Sequence, residues 1–116
     1  FVDISGFTNL CTKLSVDTLQ AHINRYFSML IEIIVRAGGD VLRFAGDAVL
    51  CAWCLEAGAT SDTLASVTRM AGVCALELLD KCAAYPIPEL EGTMLSIHMG
   101  LGVSPIHAFR LGVSDR

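Results

Sequence analysis

The chain has 116 residues, of which 53% are hydrophobic, and its formal net charge is −4. This length favours a single small core, and the hydrophobic content excludes a disordered chain. The basic residues form no stripe along the sequence, which excludes nucleic-acid binding driven by charge.

The first third of the chain predicts a strand followed by a helix. Phe1 to Ile4 is an apolar run typical of a strand end, and Ser5-Gly6 predicts a turn. After the cap residue Ser15, apolar residues recur every three or four positions, which predicts a helix. Ala37–Gly39 is expected to end this helix, because glycine is common just past a helix C-terminus.

The rest of the chain predicts a hairpin, a second helix and two more strands. The predicted elements are a strand from Val41 to Phe44, a three-residue turn at Ala45–Asp47, a strand from Ala48 to Trp53, a helix from Ser61 to Ala84, a strand from Thr93 to Gly102 and a strand from Ile106 to Leu111. The order is therefore β-α-β-β-α-β with one further strand. It predicts the α+β, ferredoxin-like class: one antiparallel sheet with both helices on one face.

Two aspartates stand where this fold would place them together. The first strand lies centrally beside the hairpin, so the turns after Asp3 and around Asp47 are expected at the same end of the sheet. Neighbouring carboxylates repel unless a cation lies between them, and Mg²⁺ prefers such oxygen ligands together with substrate phosphates. The Gly6 turn next to Asp3 could present backbone N–H groups to phosphate. Each motif alone is also common as a simple turn.

Two stretches carry a resemblance to a known family. "FVDISGFT" (1–8) and "GGDVLRFAGDAVLCAW" (38–53) resemble the catalytic domain of class III adenylyl and guanylyl cyclases. The likeness is strongest to the first catalytic domain of the bicarbonate-responsive soluble adenylyl cyclases, and "LSIHMGLGVSPIHAFRLG" (95–112) adds a weaker match. The resemblance implies one partial cyclase domain over residues 1–116, a cyclase palm cut at both ends.

The resemblance also implies a reaction and its ligands. ATP would be converted to 3′,5′-cyclic AMP and pyrophosphate by attack of the ribose 3′-hydroxyl on the α-phosphate. Asp3, Asp47 and the carbonyl of Ile4 would hold two Mg²⁺ or Mn²⁺ ions. The triphosphate would be held by Ser5, Gly6, Phe7, Thr8 and Gly46.

Arg43 departs from the family pattern. Adenylyl cyclases have Lys and guanylyl cyclases Glu at this position, where the side chain reads the purine, and in the first domain of the soluble type it faces a bicarbonate site. Arginine offers a planar fork of donors that suits a purine or bicarbonate, and it favours ATP over GTP. Arg43 could equally be a solvated residue of an edge strand.

Family sites form between two such domains, so the implied partner is a second cyclase domain, in a homodimer or in an intramolecular pseudo-heterodimer. The later family motif with the transition-state Asn and Arg does not occur in this sequence, so we expect the 116 residues alone to turn over little or no ATP. The alternative is a regulatory domain that binds nucleotide or bicarbonate and acts through its partner.

Other residues indicate less. The five cysteines are odd in number and irregularly spaced, which predicts reduced thiols and a cytoplasmic location. Cys51 and Cys54 could form a redox pair, but a strand position is favoured. We expect His22 at a helix surface, and ordinary packing for His98 and His107. No run of 18 uncharged apolar residues occurs, so no membrane span is predicted.

Overall fold

A computed structural model describes residues 1–105 of the chain. Its elements are, in chain order, β1 (Val2–Ser5), α1 (Phe7–Lys13), α2 (Val16–Arg36), β2 (Asp40–Ala45), β3 (Ala48–Ala52), α3 (Ser61–Cys82), β4 (Tyr85–Pro86) and β5 (Met94–Met99). The predicted α+β class is confirmed. Across residues 1–105, no helix combines the length and the apolar character needed to cross a bilayer.

The five strands form one antiparallel sheet in the order β2-β3-β1-β5-β4. Strand β1 is central, with the β2–β3 hairpin on one side and β5 on the other. This confirms the predicted position of the first strand beside the hairpin. The turn that follows β1 and the turn between β2 and β3 therefore lie at the same end of the sheet.

The core lies between one face of the sheet and the two long helices. Side chains alternate along β1, so Val2 and Ile4 are each only 3% exposed while Asp3 between them is half-buried. The buried cluster spans β1, α1, α2, β3, α3, the connection after β4, and β5. Its members are Val2, Ile4, Leu10, Tyr26, Leu30, Ile33, Ile34, Val49, Cys74, Leu78, Cys82, Ile87, Leu95 and Ile97. The opposite face of the central strand carries Asp3; we call it the helix-free face, because none of the helices within residues 1–105 packs on it.

Helix α2 begins and ends as its sequence predicts. The Ser15 side chain accepts a hydrogen bond from the Thr18 amide, which satisfies one of the free N–H groups of the first turn. At the other end Gly38 has φ +89°, a left-handed conformation that glycine adopts without steric cost. The sequence Gly38-Gly39-Asp40 therefore marks the end of α2.

The adjacent glycine makes room for Trp53. Strand β3 ends at Ala52, one residue before its predicted end, because the Trp53 ring turns toward the end of α2. Its Nε1 donates a hydrogen bond of 3.0 Å to the Ala37 carbonyl. A Cβ on Gly39 would lie 2.8 Å from Trp53 Cζ2, so no larger residue fits beneath the indole as it is placed.

Several boundaries differ from those predicted. Ala45 pairs with Ala48, so the hairpin turn has two residues where three were expected. The short α1 and β4 were not predicted, and the last described strand, β5, is shorter than the predicted strand from Thr93 to Gly102. The strand predicted from Ile106 to Leu111 lies outside the described residues.

Candidate functional site

The backbone brings Asp3 and Asp47 to the same end of the sheet. Asp3 lies opposite Ala48 in the β1–β3 ladder, and the Ile4 N–H donates a 3.0 Å hydrogen bond to the Asp47 carbonyl. Ladder spacing and the step between consecutive residues place the Cα atoms of Asp3 and Asp47 about 6 Å apart. Both side chains are half-buried. The two aspartates are thus neighbours, although 43 residues separate them in the sequence.

The tight turn accounts for the position of Asp47. Gly46 has φ +64°, and no non-glycine residue among residues 1–105 has positive φ, which is the pattern of a type II′ turn with glycine first. A Cβ on Gly46 would meet nothing within 4 Å, so the turn requires glycine for its backbone conformation and not for space. Asp47 follows as the second turn residue, beyond the last ladder pair.

The Ile4 carbonyl points toward the same place. In an antiparallel ladder the N–H and C=O of one residue point to the same neighbouring strand. Since the Ile4 N–H reaches the Asp47 carbonyl, the Ile4 carbonyl points to the hairpin turn as well. Within residues 1–105 the Asp47 amide does not return the bond, which leaves this oxygen available to a ligand.

These groups suit a hard divalent cation. In the described part of the chain neither Asp3 nor Asp47 forms an ion pair or a side-chain hydrogen bond. No group of three or more His, Cys, Asp or Glu side chains suited to a metal ion occurs among residues 1–105. The protein offers two carboxylates and one carbonyl. That set fits Mg²⁺, which commonly takes one or two carboxylates and completes its shell with water and substrate phosphate.

The loop after β1 presents free amides beside these carboxylates. Gly6 has φ +91° and precedes α1, whose first intrahelical bond runs from the Leu10 amide to the Gly6 carbonyl. No side chain in the described part of the chain caps this end, and the Phe7 and Thr8 amides have no acceptor within the helix. Ser5 is half-buried and Thr8 is exposed. The structure therefore places Ser5, Gly6, Phe7 and Thr8 together next to Asp3, and Gly46 in the turn beside them.

Arg43 lies on the edge strand of the hairpin. Leu42 is an extra residue between the pairs of Val41 and Arg43, which is a β-bulge. Arg43 pairs with Leu50, two residues from the Ala45–Ala48 pair, and so shares the helix-free face with Asp3. It is exposed and forms no ion pair within residues 1–105. This location suits both a ligand-binding and a solvated arginine.

His98 is a neighbour of this site that the sequence analysis missed. Strand β5 pairs His98 directly with Asp3, and its side chain is exposed, so the expected packing role is wrong. Facing residues of an antiparallel pair have Cβ atoms about 5 Å apart. The proximity of His98 to Asp3 follows from the register of β1 with β5. A single sequence does not specify this register. His107 lies outside the described residues.

The cysteine pair has the features of a strand end. Cys51 is half-buried in β3, and this burial raises the pKa of its thiol, which disfavours the reactive thiolate. Cys54 is exposed and follows the strand. The structure thus favours the strand interpretation of this pair.

The chain is similar over its whole length to known cyclases. Adenylate cyclase type 10 of Rattus norvegicus is 32% identical over 124 aligned residues that cover all of this chain, and that of Oryctolagus cuniculus is 36% identical over the same extent. This similarity to class III nucleotidyl cyclases extends over all residues of the chain. A cytidylate cyclase of Staphylococcus aureus is 46% identical over 50 residues, which is 43% of this chain and 12% of the relative.

The similarity agrees with the site geometry, and it covers a small part of each relative. The chain spans about 7% of the length of the Rattus norvegicus and Oryctolagus cuniculus cyclases. No protein-family model matches the chain. The resemblance seen in "FVDISGFT" and "GGDVLRFAGDAVLCAW" is confirmed by these relatives.

Proposed function

We propose that this chain is one half of an adenylate cyclase site that converts ATP to 3′,5′-cyclic AMP and pyrophosphate in cAMP signalling. The observation that carries the proposal is the hydrogen bond from the Ile4 amide to the Asp47 carbonyl. It joins the central strand to the hairpin turn, and it gathers two carboxylates and a free carbonyl at one point. The relatives named adenylate cyclase support the choice of reaction.

The residues of this chain would bind and orient the substrate. Asp3, Asp47 and the Ile4 carbonyl would hold two Mg²⁺ or Mn²⁺ ions, and the amide N–H groups of Phe7 and Thr8 would donate hydrogen bonds to the phosphate oxygens. When bound, the ions would lower the pKa of the attacking hydroxyl and stabilise charge on the phosphates. The ribose 3′-hydroxyl would lose its proton to solvent, and O3′ would form a bond to the α-phosphorus as the bond to the pyrophosphate oxygen breaks.

A partner domain would complete the site. Phe1 is 52% exposed and Leu50 is 42% exposed, and the ladder register places both on the helix-free face that carries Asp3. An open groove of about 990 Å³ borders them and continues to α3, where apolar residues such as Leu64 and Val67 also line it. Exposed apolar surface of this kind is typical of protein interfaces. A second cyclase domain covering this face would enclose the substrate, whether in a homodimer or in an intramolecular pair.

The metal site is tested by charge-removing substitutions in the intact protein. Asp47→Asn should lower cyclic AMP formation with Mn²⁺ or Mg²⁺ and ATP at least about 100-fold, because a metal clamp supplies several kcal/mol of transition-state stabilisation. Asp40→Asn is the matched control: this carboxylate is exposed and lies at the far end of the same hairpin. Undiminished activity of Asp47→Asn would refute the proposed metal site.

The choice of base is tested by nucleotide competition. ATP, GTP and CTP should be compared in the same assay, with CTP included because one relative is named cytidylate cyclase. We expect ATP to be preferred, since Arg43 can donate to purine acceptors but cannot accept the N–H groups of guanine. A strong preference for GTP or CTP would overturn the assignment.

Arg43 also allows a bicarbonate test. Bicarbonate titrations of the wild type and Arg43→Ala should differ if the guanidinium holds the anion, because its fork matches a pair of oxygens. Equal responses would remove that role and leave Arg43 as a solvated edge residue. A bicarbonate response without turnover at this site would favour the regulatory alternative, in which the chain acts through its partner domain.

A further inference from the structure

The connection between α3 and β5 is fastened to α2 by a histidine–glutamate pair. His22, which the sequence predicted at the surface, is only 7% exposed. Its Nε2 lies 2.7 Å from Glu89 Oε2, and the Tyr85 ring covers it edge-on at a centroid distance of 6.0 Å. The prediction was wrong because helical periodicity does not show which connecting segment covers a given face.

The surroundings of the ring determine how this pair is held. Nδ1 of His22 is buried and has no hydrogen-bond partner within residues 1–105. A proton on Nδ1 would bury an unpaired N–H, so the arrangement suits the ring with the proton on Nε2, donating to Glu89. That hydrogen bond is the main cause that lowers the pKa of the Glu89 carboxyl, and it is charge-assisted because the carboxylate stays ionised.

Glu89 belongs to a closed loop between β4 and β5. The Ile87 amide donates to the Thr93 carbonyl at 3.1 Å, and the Thr93 amide donates to the Leu90 carbonyl at 3.0 Å. A further bond of 3.1 Å joins the Leu90 amide to the Ile87 carbonyl. A loop closed by these bonds moves as a unit, so the bond from His22 to Glu89 fixes the whole connection against α2.

Strand β5, which follows this loop, begins beside the Gly6 turn that follows β1. A Cβ on Gly6 would lie 3.5 Å from the Met94 carbonyl oxygen, which shows how close the first residue of β5 is to this turn. The next contacts are ladder pairs, with Ser5 opposite Ser96. Movement of Met94 would therefore move the Gly6 backbone.

We propose that the pair of His22 and Glu89 is a positioning device for the Ser5–Thr8 loop. By holding the β4–β5 connection against α2, it keeps Met94 against Gly6 and so orders the amides that follow Gly6. The role of these ordered amides in triphosphate binding rests on the proposed function. The structural link from the His22–Glu89 pair to the Gly6 backbone does not depend on it.

The experiment compares three variants of the intact protein by hydrogen exchange of residues 6–9 and by the Kd for Mn·ATP. Glu89→Ala should speed exchange at these amides at least about threefold through local opening, and should weaken Mn·ATP binding. Glu89→Gln keeps an acceptor for Nε2–H and should stay near the wild type. Glu77→Ala is the matched control, because it removes surface contacts to Arg36 and Lys81 away from this loop.

The outcomes separate the two proposals. Faster exchange in Glu89→Ala, together with no change in Glu77→Ala and Glu89→Gln, supports the positioning role. Unchanged exchange in Glu89→Ala, or an equal rise in Glu77→Ala, overturns it. If the wild type binds no Mn·ATP, the proposed function fails, and the exchange rates still decide the positioning role.

Discussion

Replacing Gly39 by alanine tests how the hairpin is joined to the end of α2. The added Cβ would lie 2.8 Å from Trp53 Cζ2, 2.9 Å from Trp53 Cε2 and 3.0 Å from Ile34 Cγ2. The indole is a rigid ring, and the nitrogen beside these two atoms, Nε1, is held by a hydrogen bond to the Ala37 carbonyl. Gly39 does not have positive φ, so alanine brings no backbone strain and the effect is steric.

The size of the effect follows from these contacts. Inserting a methyl group into a packed site costs about 1–3 kcal/mol. Displacing the ring would also break the hydrogen bond to Ala37, which contributes about 1 kcal/mol. We therefore expect Gly39→Ala to lower the free energy of opening of the hairpin by about 2–4 kcal/mol.

Native-state hydrogen exchange of the β2 and β3 amides measures this loss. A cost of about 2 kcal/mol corresponds to roughly 30-fold faster exchange where local opening limits the rate. Gly72→Ala is the matched control: a Cβ there meets nothing within 4 Å, and alanine in a helix is favoured by about 1 kcal/mol. Trp53→Leu should partly rescue Gly39→Ala. Hairpin exchange within threefold of the wild type would refute the contact described between Trp53 and Gly39.

Three further predictions follow from the site and the core. Gly46→Ala should cost about 1–2 kcal/mol of hairpin stability and weaken Mn·ATP binding by calorimetry, because alanine disfavours positive φ; unchanged binding would show that the turn does not position Asp47. His98→Ala should weaken Mn·ATP binding about tenfold while His98→Lys retains it, as expected for a side chain that donates a hydrogen bond to phosphate; equal affinities would remove His98 from the site. Burial raises the pKa of Cys74 to about 11, so its thiol stays protonated at pH 8 and should resist alkylation, whereas exposed Cys54 reacts. Peptide mass mapping after brief iodoacetamide treatment checks this, and equal labelling of both cysteines would contradict the packing of α3.

The strand order and the meeting of Asp3 with Asp47 were predictable from the sequence. Periodicity distinguishes the helices from the strands. For the β-α-β-β-α-β order, most of the allowed arrangements place the first strand at the centre of the sheet. The Ser15 cap and the glycines at 38 and 39 mark the ends of α2 by local chemistry alone. These features depend on short-range physics, which a single sequence contains.

The features that were missed depend on contacts across the fold. Helix α1 has seven residues, too few to be stable alone, and its position depends on packing. The burial of His22 requires a loop that is 67 residues away in the sequence. The position of His98 opposite Asp3 depends on the register of two strands, which a shift of one residue would reverse. No local pattern encodes such long-range pairings.

The two carboxylates are supported very differently by the sheet. Asp3 is flanked by strands on both sides and has little freedom to shift. Asp47 sits at the tip of a ribbon whose outer strand, β2, has no neighbour on its far side within the described residues. Any event that tilts this ribbon would change the separation of the two carboxylates while leaving Asp3 in place. On the proposed function, cation binding would then respond to changes at the edge of the sheet, at Arg43 or Trp53, without rebuilding the central strand.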